Sequence, residues 1–201
     1  MKKTVLTLLL AASLQGFSAL AAASPVVIGF DSLMQDNDQT NEIGNVYRES
    51  GFEFSNLSNP FSFASFGTQN PFFNGSTALF NDNTDGQTRL SQIGGGLFSL
   101  SSITLSTLAP GYTEEGTSVT FTGLLATGGS VMQSFNVADG AAQTFSFSPN
   151  FSNLSAVTWS NEANFHQFDN ITVAAVPEPE TYALMLSGLG LVAFAARRRS
   201  K

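Results

Sequence analysis

An antiparallel β-sandwich or jelly roll is the fold class this chain predicts, on three observations. Its 201 residues include 19 phenylalanines and 18 glycines, and the middle of the chain is dominated by Ser, Thr, Asn, Gly and Phe. That composition suits strands and turns and disfavours helices. Apolar residues recur there at every second position, the period of a strand with one buried face. Turn-forming pairs punctuate these runs.

The runs can be followed in order. Phe52 and Phe54 flank Glu53, and Phe61 and Phe63 flank Ser62. Val119, Phe121 and Gly123 alternate with Thr120 and Thr122; Val131, Gln133, Phe135 and Val137 form the next set. Phe145 and Phe147 alternate with Thr144 and Ser146, Val157 and Trp159 straddle Thr158, and Ile171 and Val173 straddle Thr172. Reversals are expected at Asp85-Gly86, Gly94-Gly95-Gly96, Pro110-Gly111, Gly128-Gly129 and Asp139-Gly140. Beyond residue 97 the runs recur about every 12 residues, which points to about eight to ten strands with helices confined to the termini. Met34 to Asn45 is polar, acidic and aperiodic, so a long loop is expected. Asn56 to Asn83 mixes phenylalanines with turn formers and shows no clear period. No internal repeat is present.

Charge narrows the choice of partners. The formal net charge is -7, but most of the basic residues lie in the first three and last five positions. Between residues 24 and 175 the only basic residues are Arg48 and Arg89, against thirteen of the chain's 15 carboxylates. Such a body repels phosphate backbones, which argues against nucleic acid, and attracts divalent cations. Cysteine is absent, which removes disulfides, thiol catalysis and thiolate metal sites. One histidine, His166, leaves little room for histidine-based chemistry.

The two ends have patterns of their own. Lys2 and Lys3 precede a short apolar core, Val5 to Leu14, and small residues follow. Ala19-Leu20-Ala21 and Ala21-Ala22-Ala23 both fit an A-x-A cleavage site, so residues 1–23 are expected to be a secretory signal peptide with cleavage around Ala21, Ala22 and Ala23. At the other end Val176-Pro177-Glu178-Pro179-Glu180 begins a segment 176–201. Two prolines one residue apart favour an extended, accessible stretch. An uncharged run, 181–196, follows and is expected to form a short transmembrane helix, near the lower limit for spanning and thinned by Gly188 and Gly190. Arg197, Arg198 and Arg199 close it and would be retained on the cytoplasmic side.

This motif, apolar span and basic terminus together resemble the PEP-CTERM sorting signal of Gram-negative bacteria, also catalogued as the ice-binding protein C-terminal domain. The resemblance covers about an eighth of the chain. It implies recognition by an exosortase, a membrane cysteine transpeptidase, with processing near Pro177-Glu178-Pro179. It further implies association with exopolysaccharide, biofilm or floc. Export through the Sec machinery, tethering to the inner membrane by the tail, and final placement at the cell surface or in the extracellular matrix are the corresponding expectations.

The segment 24–175 is expected to be one domain. Its early Phe30-Asp31 and late Phe168-Asp169-Asn170-Ile171 are similar to galactose-binding-like and carbohydrate-binding jelly rolls, which implies that the first and last strands lie together. By alternation Asp169 shares a face with Ile171 and Val173 and should be buried. A buried carboxylate must be paired, hydrogen-bonded or metal-bound. A structural calcium shared by Asp31 and Asp169 is one solution; capping by backbone N–H groups at a strand end is the other. Asn81 to Gly86 echoes a calcium-binding loop, but Gln92 occupies the position of the bidentate glutamate, so a β-turn is expected. His166 lies near Glu162 and Asp169 in sequence, yet no G-x-S-x-G elbow accompanies it. Phe72 and Phe73 are expected on a loop, either as anchors or as a stacking surface for sugars. The Asn-x-Ser/Thr triplets carry no weight in a bacterium. The expectation is therefore a non-enzymatic surface or matrix protein. A carbohydrate-binding module of the secreted matrix is the alternative, and a secreted hydrolase the third.

Overall fold

The computed structural model describes residues 24–58, 62–83, 86–109, 116–160, 165–177 and 179–199. The signal segment, with Ala21, Ala22 and Ala23, lies outside the described residues, as do Glu178, Phe61, Asp85, Pro110, Gly111 and Glu162. The strands are β1 (Val26–Ile28), β2 (Thr40–Gly44), β3 (Val46–Glu49), β4 (Phe52–Asn56), β5 (Phe63–Phe66), β6 (Phe80–Asn81), β7 (Gln87–Gln92), β8 (Leu97–Thr107), β9 (Thr117–Leu125), β10 (Ser130–Val137), β11 (Gln143–Ser146), β12 (Leu154–Ser160) and β13 (His166–Val176). A 3-10 turn spans Asp31–Leu33, and one helix, α1, spans Pro179–Arg199. These strands outnumber the eight to ten expected, because short pieces form where no period was visible. β2 lies inside the stretch read as a loop, and β5 and β6 occupy the ambiguous region.

All pairings are antiparallel. One layer runs β1-β13-β8-β11, and the other runs β10-β9-β12-β7-β4-β3. They join where Leu154 pairs with Phe98. A smaller sheet, β2-β5-β6, meets β13 through the bridge between Leu79 and Phe168. At the open side Gln133 closes the sandwich like a piece of strand: its side-chain amide donates to the Ser146 carbonyl at 3.1 Å and its carbonyl accepts from the Ser148 N–H at 2.9 Å.

Aromatic side chains from facing layers fill the space between. Phe52 of β4 lies against Phe98 of β8 with ring centroids 5.4 Å apart, and Phe121 of β9 meets Phe147 at 5.1 Å. Trp159 of β12 meets Phe168 of β13 edge-on at 5.1 Å. Each such pair adds roughly 0.5–1.5 kcal/mol to area burial. The alternating runs of the sequence supply this core: Phe52, Phe54, Val119, Phe121, Phe135, Val137, Val157, Trp159, Ile171 and Val173 are all buried.

The acidic stretch before β2 is tied down. Gly67 and Thr68 donate backbone N–H groups to the carbonyls of Gln39 and Gln35, and Asp36 accepts from the side chains of Thr68 and Gln69. The chain passes so closely that a Cβ at Gly67 would meet the Asn37 carbonyl oxygen at 2.3 Å.

The tail departs from expectation in two ways. Val176 is the last residue of β13, and Pro179 and Glu180 already belong to α1, so the extended stretch reduces to the neighbourhood of Pro177. Proline can open a helix, since its missing N–H would be unsatisfied in the first turn anyway. Further, no helix among the described residues is long and apolar enough to cross a membrane. The uncharged run 181–196 rises only about 24 Å against a hydrocarbon layer of about 30 Å, and Arg197 to Arg199 continue the same helix. The helix presents exposed apolar side chains at Met185, Leu186, Leu189, Leu191, Val192 and Phe194 and carries its basic residues at its C-terminal end.

Candidate functional site

A bulge in β13 decides which way Asp169 points. The register with β8 shifts between Asp169 and Thr172, and Asn170 adopts a left-handed φ of 46°. The extra residue reverses the phase of alternation. Phe168 and Ile171 therefore both face the main core, while Gln167 and Asp169 turn to the outer side of the layer, under the segment from Phe72 to Ala78. Asp169 is buried as expected, at 3% exposure, but not among the residues with which alternation grouped it.

Asp169 lines a cavity of about 90 Å³ with Asn74, Ser76, Ser106, Gln167 and Asn170. Its Oδ1 accepts from the Asn170 backbone N–H at 2.7 Å and its Oδ2 from the Asn170 side-chain amide at 2.9 Å. Ser76 donates a further hydrogen bond. Across the cavity Asn74 Nδ2 donates to Ser106 Oγ at 2.7 Å, and Gln167 Nε2 donates to the carbonyls of Phe72 and Leu108. Burial pushes the Asp169 pKa up. The Ser76 and Asn170 hydrogen bonds oppose that rise, and the charges of Asp31 and Glu49 add to it.

The first and last strands do pair, β1 with β13, which brings the two Phe-Asp dipeptides together. The Phe30 and Phe168 rings meet edge-on at 5.8 Å. Asp31 and Asn170 both flank Gly29: a Cβ there would lie 3.7 Å from Asp31 Oδ2 and 3.6 Å from Asn170 Oδ1. Glu49 Oε2 accepts from Tyr47 Oη at 2.7 Å and from the Phe30 N–H at 3.3 Å. Calcium asks for six to eight oxygens. The Asp169 oxygens are already engaged, and among the described residues no group of three or more His, Cys, Asp or Glu side chains could hold a metal ion. The compensation visible at Asp169 is hydrogen bonding, with a backbone N–H among the donors. Asn74, Ser76 and Glu49 escaped the sequence reading, since each is polar in a chain full of such residues, and Asn170 figured there only within the Phe168-Asp169-Asn170-Ile171 motif.

The remaining candidates resolve as structural. His166 is fully buried, and neither ring nitrogen has a hydrogen-bond partner, so it is joined to no serine or carboxylate. Asn81 belongs to β6 and exchanges side-chain amide bonds with Asn56 at 3.1 and 3.2 Å, while Gly86 N–H donates to the Asn83 carbonyl as in a turn. Phe72 and Phe73 are half-buried against Phe66, Phe80 and Ala64.

Together these features define a class: an acidic all-β sandwich whose last strand runs directly into an apolar, base-terminated tail. Residues 175–199 match the PEP-CTERM protein-sorting motif. The chain therefore carries the tail of an exported, exosortase-sorted protein. No curated protein matches the chain. Among solved structures it is similar to the CBM22-1–GH10 modules of Clostridium thermocellum endo-1,4-beta-D-xylanase 10B in complex with xylohexaose, at 13% identity and a TM-score of 0.44 over 77% of this chain and 29% of that one. It is also similar to a single-site variant of the family 29 carbohydrate-binding module CBM29-2, at 11% identity and a TM-score of 0.43 over 76% of this chain and 91% of that one. A xylan-binding domain from CBM22 is 11% identical, with a TM-score of 0.42 over 78% of this chain and 96% of that one.

Proposed function

We propose that this protein is a non-enzymatic component of the cell surface or extracellular matrix, delivered there by its tail and associated with exopolysaccharide in a biofilm or floc. The observation that carries the reading is the sorting motif at residues 175–199, continuous with the last strand of an acidic sandwich. A surface rich in carboxylates and hydroxyls stays hydrated and suits a polymer matrix. The lone histidine is sealed in the core without a partner, which removes the commonest general base from use. Sec export would deliver the chain, and the tail would hold it at the inner membrane until an exosortase acts.

A second reading, in which the sandwich itself retains the polysaccharide, is favoured by outward-facing hydroxyl pairs on both layers. Ser102 with Thr172, Thr104 with Thr144 and Thr120 with Ser134 stand 2.7–2.9 Å apart. Contact with a neutral glycan would then run through hydrogen bonds. Among the described residues the body's phenylalanines and tryptophan are buried or half-buried.

Fractionation and intact-mass measurement on the native protein, with and without the host exosortase, test the first reading. The expected product ends near Pro177-Glu178-Pro179 in the surface or matrix fraction, and the enzyme-deficient strain accumulates full-length, membrane-associated chain. Identical masses and fractions in both strains would remove sorting from the account. Turnover of polysaccharide or ester substrates would overturn the non-enzymatic part, and retention on a glycan array would promote the second reading.

A further inference from the structure

The chain enters and leaves the sandwich at the same end. Val26 of β1 lies opposite Val173, and Val176, the last residue of β13, lies opposite Leu97. Leu154 pairs with both Leu125 and Phe98, which sets the turn between β9 and β10 at that end too. β10 therefore starts at the exit end with Ser130 and runs away from it to Val137. Beyond Val137 the chain reaches Asp139, which accepts a hydrogen bond from Thr107 at the far end of β8, close to Ala141 in sequence.

β10 is the outermost strand of its layer, paired with β9 and with no other strand. Its register with β9, from Ser130 opposite Leu124 to Val137 opposite Thr117, has no bulge. Free N–H and C=O groups at a sheet edge recruit other strands, and proteins blunt such edges by short length, charge, proline or bulges. The other edges here are protected in that way. β1 has three residues and β11 four; β3 has four and carries Arg48 and Glu49; β2 carries Glu42, and β6 has two residues. β10 has eight residues, Ser-Val-Met-Gln-Ser-Phe-Asn-Val, with no charge and no proline.

The hairpin geometry identifies the free groups. The Leu125 N–H donates to the Gly129 carbonyl at 3.2 Å, so these two form a hydrogen-bonded pair, and bonded pairs recur at every second residue. Val131, Gln133, Phe135 and Val137 thus direct their backbone groups to β9. Those of Ser130, Met132, Ser134 and Asn136 point to the open edge, and among the described residues they have no partner. Gln133 does not cover them, since its side chain turns inward to Ser146 and Ser148. Met132, at 65% exposure, is the most exposed large apolar residue of the described sandwich.

We propose that a second copy of the chain adds at this edge, β10 against β10 about a two-fold axis. An antiparallel pairing centred on Gln133 sets Ser130 opposite Asn136 and Met132 opposite Ser134 of the second copy, so all four free residues bond, with about eight hydrogen bonds in all. A shift of two residues either way would leave one of the four without a strand partner. Val131 then faces Phe135 of the second copy, a β-branched residue against an aromatic one, and the two Met132 side chains become diagonal neighbours on the outer face. No carboxylate falls inside the joint. Asp139 lies two residues past the strand, and Glu114 and Glu115 stand in the sequence just before Thr117, which pairs with Val137. The two-fold sets these ends of the two copies at opposite ends of the joint, at least about 24 Å apart and more than two Debye lengths.

The same axis sends the two tails out at opposite ends. Only Pro177 and Glu178 separate Val176 from α1, a reach of at most about 10 Å. Copies held by their tails in one membrane stand parallel and cannot pair in this way. Pairing therefore follows release and is a step in assembling the matrix, an ordering that rests on the reading of the tail as membrane-held before processing.

The full chain in mild detergent tests the joint. The expected result is a concentration-dependent dimer in sedimentation, with amide exchange across residues 130–137 slowed several-fold as it forms. Ser134→Pro deletes an N–H that β9 does not use, and Met132→Lys places a cation on the edge. Both should abolish the dimer and keep the parent's melting temperature at low concentration. Because the protein has no cysteine, a mixture of Met132→Cys and Ser134→Cys chains should form the mixed disulfide several-fold over either symmetric one, since the register holds those Cα atoms about 5.5 Å apart. A chain that stays monomeric, or a dimer indifferent to both substitutions, would overturn the pairing. In cells the mixed disulfide should appear in the released fraction and be absent from membrane-held chain of an exosortase-deficient strain. Its equal formation in both would overturn the ordering and keep the edge; identical processing in the two strains would remove the tail reading and leave the edge standing.

Discussion

His166 and Asp169 sit three residues apart on β13, are both buried, and respond to acid in opposite senses. Burial lowers the His166 pKa from 6.5 to about 4. Between those values the unfolded chain takes up a proton that the folded chain refuses, so stability falls with pH by about 1.4 kcal/mol per unit, roughly 3 kcal/mol in all. Asp169 has the opposite sign: its raised pKa makes its contribution most favourable at low pH and diminishes it as pH rises through that value. His166→Leu is expected to raise the melting temperature at neutral pH, because two unsatisfied polar atoms leave the core, each worth about 1–3 kcal/mol. The same variant should flatten the decline between pH 6.5 and 4; an unchanged acid limb would show that His166 is not its source. At Asp169 the hydrogen bonds from Asn170 and Ser76 account for the burial, so EDTA and millimolar calcium should give equal melting temperatures. A lower melting temperature in EDTA, abolished by Asp169→Ala, would establish the calcium ion that Asp31 and Asp169 first suggested.

At the scale of elements, the alternating runs were readable because one face of each strand meets a dry core. Val119, Phe121 and Gly123 fall on the inner face of β9 as the pattern implied, and Val157 and Trp159 do so on β12. The pattern failed where an element is too short or too polar to show a period. β6 has two residues, and β2 (Thr-Asn-Glu-Ile-Gly) offers only Ile43 to the core beside its pairing with β5. It also misled at β13, where periodicity assumes an unbroken ladder and cannot register the extra residue at Asn170. The surroundings of Asp169 were therefore out of reach, although its burial was legible. The tail was the most readable part for a different reason: its signal is a linear order of residue types and needs no tertiary contact to be seen. What composition could not convey was that Pro179 begins the helix and that Arg197 to Arg199 extend it.

For the molecule as a whole, the position of β13 bears on how it responds to force. That strand lies between β8 on one side and β1 with the Leu79 bridge on the other, and it continues into the tail. A load applied at the tail and resisted at the far end, near Ala141, runs along the strand, across the direction of its hydrogen bonds. All the β13–β8 bonds would then be strained together and rupture in shear. A load between Ser24 and Pro177 acts differently, because both lie at one end: it peels β1 from β13 one pair at a time, like a zipper. Single-molecule pulling from position 141 against the C-terminal side should give a rupture force several-fold above pulling between residues 24 and 177. Equal forces for the two geometries would mean that β13 does not bear the load. A protein held by its tail while drag acts on its far end is thus gripped in the direction in which this sandwich is mechanically strong.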